Sequence, residues 1–254
     1  MKLSIITVCF NSQATIRQAV ESVLSQVGVD IEYIVVDGGS TDETLSILSD
    51  YRDSIAKLIS EPDKGIYDAM NKGIALATGD IVGLLNSDDF YRSEHSLSCM
   101  LSGFSESPEV DMVFGDVVFV AENDCSRVTR FYSSRRFRPW KMRFGWMPPH
   151  PATFVKREIY QSFGFYSLAY KISSDFEMFV RWLLINKIPY RRVDQVFVCM
   201  REGGVSTSGV SNSVRLNREI VAACRANGIY TNMLMVMSKA PMKLLELIRR
   251  PTHG

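Results

Sequence analysis

Four stretches of this 254-residue chain place carboxylates and amides where an apolar run stops. Asn11 follows "SIITVCF", Asp37 follows "IEYIVV", Asp63 follows "KLISEP", and Asn86, Ser87, Asp88 and Asp89 follow "DIVGLL". Adjacent carboxylates suit a hard divalent cation, which takes oxygen ligands. Asn, Ser and Asp are also ordinary loop residues, so one such ending decides nothing. Four endings converging on one edge describe a site. Farther on, Asp175 and Glu177 stand in "SSDFEMF" and His150 in "PPHPATF". A carboxylate or imidazole within reach of a hydroxyl is a general base. An Asp in the first turn of a helix is also a plain partner of the helix dipole.

The elements that must position these residues follow from periodicity. "LSIITVCF" is β-branched and almost continuously apolar, as strands buried on both faces are. "SQATIRQAVESVLSQ" puts Ile16, Ala19, Val20, Val23 and Leu24 on one helical face, with Ser12 in N-cap position. A second strand then runs into a Gly-Gly turn, with Ser40 or Thr41 capping a helix that carries Leu45 and Leu48. "AKLIS" leads into the helix "GIYDAMNKGIALA" and the strand "DIVGLL". This βαβαβαβ order predicts a mostly parallel sheet flanked by helices, with function at the carboxyl ends of the strands. "VDMVFGDVVFV" reads as a strand pair and "SSDFEMFVRWLLINK" as a helix. "YRRVDQVFVCM" reads as a last strand, followed by a glycine-rich loop. Two helical stretches near 211–227 and 233–250 close the chain, the second kinked at Pro241.

Neither GxGxxG after the first strand nor GxxxxGK[ST] is present, which disfavours a dinucleotide dehydrogenase or a P-loop enzyme. With 46% hydrophobic residues the chain has material for one large core. Its five cysteines are scattered without a CxxC pair, which fits a reduced, cytoplasmic setting. No run approaches the roughly 18 apolar residues of a spanning helix, and no signal peptide is expected. The net charge of +1 hides a division: residues 1–124 hold 7 Lys/Arg against 21 Asp/Glu, and residues 125–254 hold 22 against 7. The first half suits a cation and the second an anion.

The stretches "SIITVCFN", "IVVDGGSTDET", "EPDKGIYDAMNKGIALATGDIVGLLNSDD", "HPATFVKREIY", "SSDFEMFVRW" and "GGVS", in this order, resemble glycosyltransferase family 2. These are inverting enzymes of the GT-A fold, and the chain is most similar to the branch that builds bacterial exopolysaccharide and surface polysaccharide. The resemblance covers about residues 1–210. It implies a GT-A domain there, with 1–124 as the nucleotide-sugar half and 125–210 as the acceptor half. Residues 211–254 form a C-terminal helical extension.

By resemblance, Asn86-Ser87-Asp88 occupies the place of a DxD motif, in which Asp88 binds Mn2+ or Mg2+ bridging the donor diphosphate. Asn86 departs from that pattern by one charge. Asp37 matches a residue that reads the base edge, typically uracil, with Thr7 and Asn11 lining the same pocket. Asp68 and Asn71, three apart on a helix, would face the nucleoside. Met70 stands where many members carry an Arg. Asp175 matches the general base, with Ser174 in place of a Glu and Glu177 as the next candidate base. His150 would touch phosphate or acceptor.

The resemblance implies transfer of a hexosyl or N-acetylhexosaminyl group from a UDP-sugar to a glycan or lipid-diphosphate-linked acceptor, one sugar at a time, since QxxRW is absent. A catalytically inactive nucleotide- or glycan-binding module is the alternative. The basic run Arg127–Arg143 and the amphipathic tail from Met233 predict peripheral docking on the inner face of the plasma membrane, with tail packing or a homodimer seam as the rival. The aromatics within the basic run are read as core and sugar-stacking residues rather than as a nucleic-acid site.

Overall fold

The computed structural model describes residues 1–203 and 210–239, so Pro241 and the rest of the tail lie outside it, as does the glycine-rich loop from 204. The first half is built as its periodicity predicts. Strands β1 (Lys2–Cys9), β2 (Asp30–Asp37), β3 (Lys57–Ser60) and β4 (Ile81–Asn86) alternate with helices α1 (Ile16–Leu24), α2 (Thr44–Ser49) and α3 (Ile66–Leu76). The four strands are parallel in the order β3-β2-β1-β4, with Cys9 level with Asp37 and Val8 level with Asn86. All their carboxyl ends therefore open on one edge.

The strands are apolar throughout because both faces are covered. Ile6, Val8, Ile34 and Val36 face α3, while Leu3, Ile5, Tyr33 and Val35 face α1. Gly73 sets the approach of α3: a Cβ there would lie 2.4 Å from the Ile6 side chain.

The rest of the chain extends the same sheet with mostly antiparallel pairing. After the two-residue β5 (Phe90–Tyr91) and α4 (Ser96–Ser105), β6 (Met112–Ala121) turns into β7 (Asp124–Tyr132). Then come a 3-10 segment (Pro139–Phe144), β8 (Thr153–Lys156), α5 (Arg157–Phe163) and α6 (Ser174–Phe179). α6 continues into a π-helical turn (Val180–Ile185), followed by β9 (Tyr190–Arg201), α7 (Val210–Ala226) and α8 (Met233–Met237). The sheet order is β3-β2-β1-β4-β8-β6-β9-β5, with β7 on β6 and with β6 and β9 parallel.

Several local expectations change. "VDMVFGDVVFV" is one ten-residue strand rather than a pair. Its Gly115 is no turn: a Cβ there would meet the Phe197 ring at 2.6 Å. Asp116, next to it, is buried and paired with Arg192 at 2.7 Å. Ser12 is not the cap of α1. Thr15 holds that position, and the Ser12 carbonyl accepts the Thr15 and Ile16 amides. α2 starts only at Thr44, because Ser40 and Thr41 spend their donors on Asp37 and Asn11. α7 packs into the same core as α3, with Ile220, Ala223 and Cys224 buried there.

Candidate active site

At the ends of β1 and β2 the loops are knitted together by Asp37 and Asn11. Asp37 is wholly inaccessible and accepts from the amides of Gly39 (3.1 Å) and Ser40 (3.0 Å) and the hydroxyls of Ser40 and Ser60. Burial alone would raise its pKa; the hydrogen bonds from Ser40, Ser60 and Gly39 outweigh that and hold it below the usual range. Asn11 sits at φ +49°, a left-handed conformation that Asn tolerates, and its Oδ1 accepts the Thr41 amide at 2.9 Å. Thr7 is buried beneath them and accepts from the Tyr33 hydroxyl at 3.1 Å.

Asp37 and Thr7 thus support this surface from below, and neither is itself accessible, whereas the sequence predicts direct contact with a base. The carboxylate that does reach this surface is Asp63. A Cβ on Gly38 would lie 2.4 Å from Asp63 Oδ2 and 3.5 Å from the Phe10 ring. Phe10 is 61% exposed. Asp63 Oδ1 accepts the Gly65 amide at 2.7 Å. A planar ring and an acceptor oxygen therefore meet over a glycine, an arrangement suited to stacking on a base and accepting its N–H.

At the end of β4, Ser87 Oγ lies 2.9 Å from Ser12 Oγ, tying this turn to β1. Asp89 is buried and accepts from Asn86 Nδ2 (3.1 Å) and from the Arg201 amide. Burial and the charge of Asp88 push its pKa well above the ordinary carboxylate value. It is an anchor: with β5 paired to β9 at Cys199 and Val198, it fixes the turn to the last strand. Asp88 is half-buried, and withdrawal from water raises its pKa against the opposing charge of Arg201. Asn86 Oδ1 is buried with no donor.

A desolvated carboxylate beside an orphaned amide oxygen suits a divalent cation. Among the described residues no group of three His, Cys, Asp or Glu gathers to hold a metal alone. A cation here would take its remaining ligands from water or a bound molecule, and the residues fit a metal shared with a diphosphate.

The third part of the site is Asp175 in the first turn of α6. Withdrawal from water pushes its carboxyl up to about 6, against the Phe176 amide (2.8 Å) and the Tyr67 hydroxyl (3.4 Å), which favour the charged form. Tyr67 places its shorter bond, 2.6 Å, on the Ile172 carbonyl. The other acids nearby are spent. Glu177 is buried and held by Arg181 Nε at 3.0 Å to both oxygens, so it is no substitute base. Glu219, on α7, accepts the amides of Lys171, Ile172 and Ser173 and the Ser173 hydroxyl.

Asn71 and His150 both bind the loop that carries Tyr166. The Asn71 side chain clamps the Tyr166 backbone reciprocally, donating to its carbonyl and accepting its amide, each at 2.9 Å. Asp68, expected on the same face, instead accepts the Lys64 amide at 3.0 Å. His150 Nε2 pairs with the Tyr166 hydroxyl, and burial pulls its pKa down to about 4. Tyr166 stacks on Tyr67 at 5.4 Å. Tyr67, Tyr166 and Glu219 have no motif to announce them, since their partners are backbone groups or lie far off in sequence.

The profile described as Glycosyl transferase family 2 matches residues 4–170. The chain belongs to that family. A PGL/p-HBAD biosynthesis glycosyltransferase of Mycobacterium bovis is 30% identical over 214 residues, covering 83% of this chain and 79% of its own length. The fold is that of GT-A glycosyltransferases. S. aureus TarS 1-349 in complex with UDP-GlcNAc superposes with a TM-score of 0.65 at 20% identity, covering 88% of this chain; the chain spans only 66% of the TarS chain. Glucosyl-3-phosphoglycerate synthase from Mycobacterium tuberculosis, with Mn2+, UDP and phosphoglyceric acid, gives 0.63 at 17% identity over 91% and 80% of the two chains. As a family 2 member the protein is a glycosyltransferase.

Proposed function

We propose that this glycosyltransferase moves one sugar from a UDP-sugar to a hydroxyl of a lipid-linked glycan, with inversion, during surface-polysaccharide synthesis at the inner face of the plasma membrane. The observation that carries inversion is the setting of Asp175: among the described residues it has no cationic partner, while Glu177 is held by Arg181 and Glu219 by the 171–173 backbone. A single base fits one in-line displacement, in which Asp175 takes the proton of the acceptor hydroxyl as its oxygen attacks the anomeric carbon. Among the described residues, Glu177 and Glu219 are the acids nearest in the fold to Asp175 that this site could enlist for a covalent sugar intermediate, and both are engaged.

In this reading residues 1–124 hold the donor and 125–210 the acceptor, while 211–254 is the extension whose α7 braces the acceptor loop. Asp63 and Phe10 receive the base over Gly38, and Asp37, Asn11 and Thr7 hold that end in shape. Asp88, with Asn86 and Ser87 in the same turn, would hold Mn2+ or Mg2+ beside the diphosphate, and a cation there would supply charge neutralisation for the leaving group. Uracil is supported by the UDP and UDP-GlcNAc bound in the neighbouring structures. The basic second half supports an acceptor borne on an anionic surface, and no helix among the described residues is long and apolar enough to cross a membrane.

The test is NMR of the product formed from an α-linked UDP-sugar on a lipid-linked glycan acceptor. A β-linked product is expected; an α-linked one rules out the single-displacement mechanism.

A further inference from the structure

Arg135, Arg136, Arg138 and Lys141 line an open basin of about 540 Å³ between β7 and the 3-10 segment. None of them forms an ion pair with a described residue. The carboxylates on the adjoining strands, Asp116 and Asp194, are taken by Arg192 at 2.7 and 2.8 Å. Arg138 and Lys141 donate instead to carbonyls of their own loop, those of Phe137 and Arg136, both at 2.6 Å. These bonds fix the side chains without neutralising them. The basin is thus a standing concentration of positive charge.

Trp140, between two of these residues in sequence, is 56% exposed. The segment that carries it packs against α8: Thr231 donates to the Arg143 carbonyl, and a Cβ on Gly145 would sit 3.3 Å from Val236. In and just before α8, Tyr230, Leu234 and Met237 are left in solvent, Leu234 at 81% exposure. Arg143, on the 3-10 segment, is exposed as well.

We infer that this corner, formed by the basin, the Pro139–Phe144 segment and α8, is the surface by which the enzyme sits on an anionic bilayer. The inference rests on the lipid-linked acceptor proposed above and assigns the docking residues. Lipid phosphates enter the basin, and Trp140, Leu234 and Met237 enter the boundary between headgroups and acyl chains. A basic face interleaved with Trp, Leu and Met is the composition of interfacial segments. A pocket for a small soluble ligand is instead concave and mostly apolar, with few polar groups. A nucleic acid would use the cations but has no use for the exposed Leu234 and Met237.

The test is co-sedimentation of the full chain with vesicles of phosphatidylcholine, alone or mixed with phosphatidylglycerol. Binding is expected only to the anionic vesicles and to weaken with salt. The combined variant Arg136→Ala, Arg138→Ala, Lys141→Ala loses binding by about two orders of magnitude, at roughly fivefold per cation. In the double variant Trp140→Phe, Trp146→Phe the fluorescence change on vesicle addition is lost, Trp182 being buried, and restoring Trp140 alone brings it back.

Thermal stabilisation by UDP, unchanged in the variants, shows that they are folded and that the donor site is intact. If the full chain ignores anionic vesicles, or the triple variant binds them as wild type does, the inference fails. It fails equally if a single-stranded RNA oligomer binds the basin while vesicles do not. A chain that docks but transfers no sugar to a lipid-borne acceptor overturns the proposed acceptor and leaves the docking surface standing.

Discussion

Asp175 is poised by its surroundings: a carboxyl brought up to about 6 is ionised at neutral pH yet basic enough to accept a proton from a hydroxyl. Because the active form is the deprotonated one, the rate of sugar transfer should fall about tenfold per pH unit below 6 and level off above 7. A pH profile of kcat/KM checks this, and a profile flat down to pH 5 removes Asp175 from the role. Asp175→Asn keeps the shape and removes the base; turnover should drop about 10²- to 10⁴-fold with UDP affinity unchanged. Asp63 should matter in the opposite way. Asp63→Ala, and Gly38→Ala, whose added methyl would collide with Asp63 Oδ2, should weaken UDP binding in calorimetry and spare turnover at saturating donor. Asp88→Asn should abolish the gain in UDP affinity on adding Mn2+, and equal metal enhancement in wild type and variant would move the metal elsewhere.

At the scale of elements, α7 has a catalytic consequence without touching a reacting atom. Glu219 binds four donors of the segment that leads into α6, so Glu219→Ala strands those donors and should cost about 2–3 kcal/mol of stability. The loss of turnover should exceed any loss of UDP affinity, because the loop carries the base and not the donor. Denaturant melts alongside kinetics measure both. The first four strands and three helices were legible in the sequence because parallel strands buried on both faces are continuous apolar runs, and their polar endings mark the edge. The second half was less so, for tertiary reasons. Gly115-Asp116 imitates a turn, yet the glycine makes room for the Phe197 ring and the Asp answers Arg192, 76 residues away. Asn71 and His150 were legible as polar residues at the right place, but what they bind, the backbone and hydroxyl of Tyr166, is set by a loop no pattern foretells.

For the molecule as a whole, the order of the sheet decides how it melts. β8 lies between β4 and β6, and β9 between β6 and β5, so strands from the two chain halves alternate as neighbours. Unfolding should be one calorimetric transition, and UDP with Mn2+ should shift all of it, by about 2.7 kcal/mol at a hundred times the dissociation constant. Two transitions, only one of them moved by UDP, would contradict this. The same interleaving bears on engineering. A chimera that keeps residues 1–124 and borrows another enzyme's acceptor half cuts the β6–β7 hairpin and replaces both lateral partners of β6, together with the strand that pins β5 and Asp89. On the proposed division of roles, acceptor preference is therefore better transplanted loop by loop, beginning with 164–173, than by exchanging halves as cassettes.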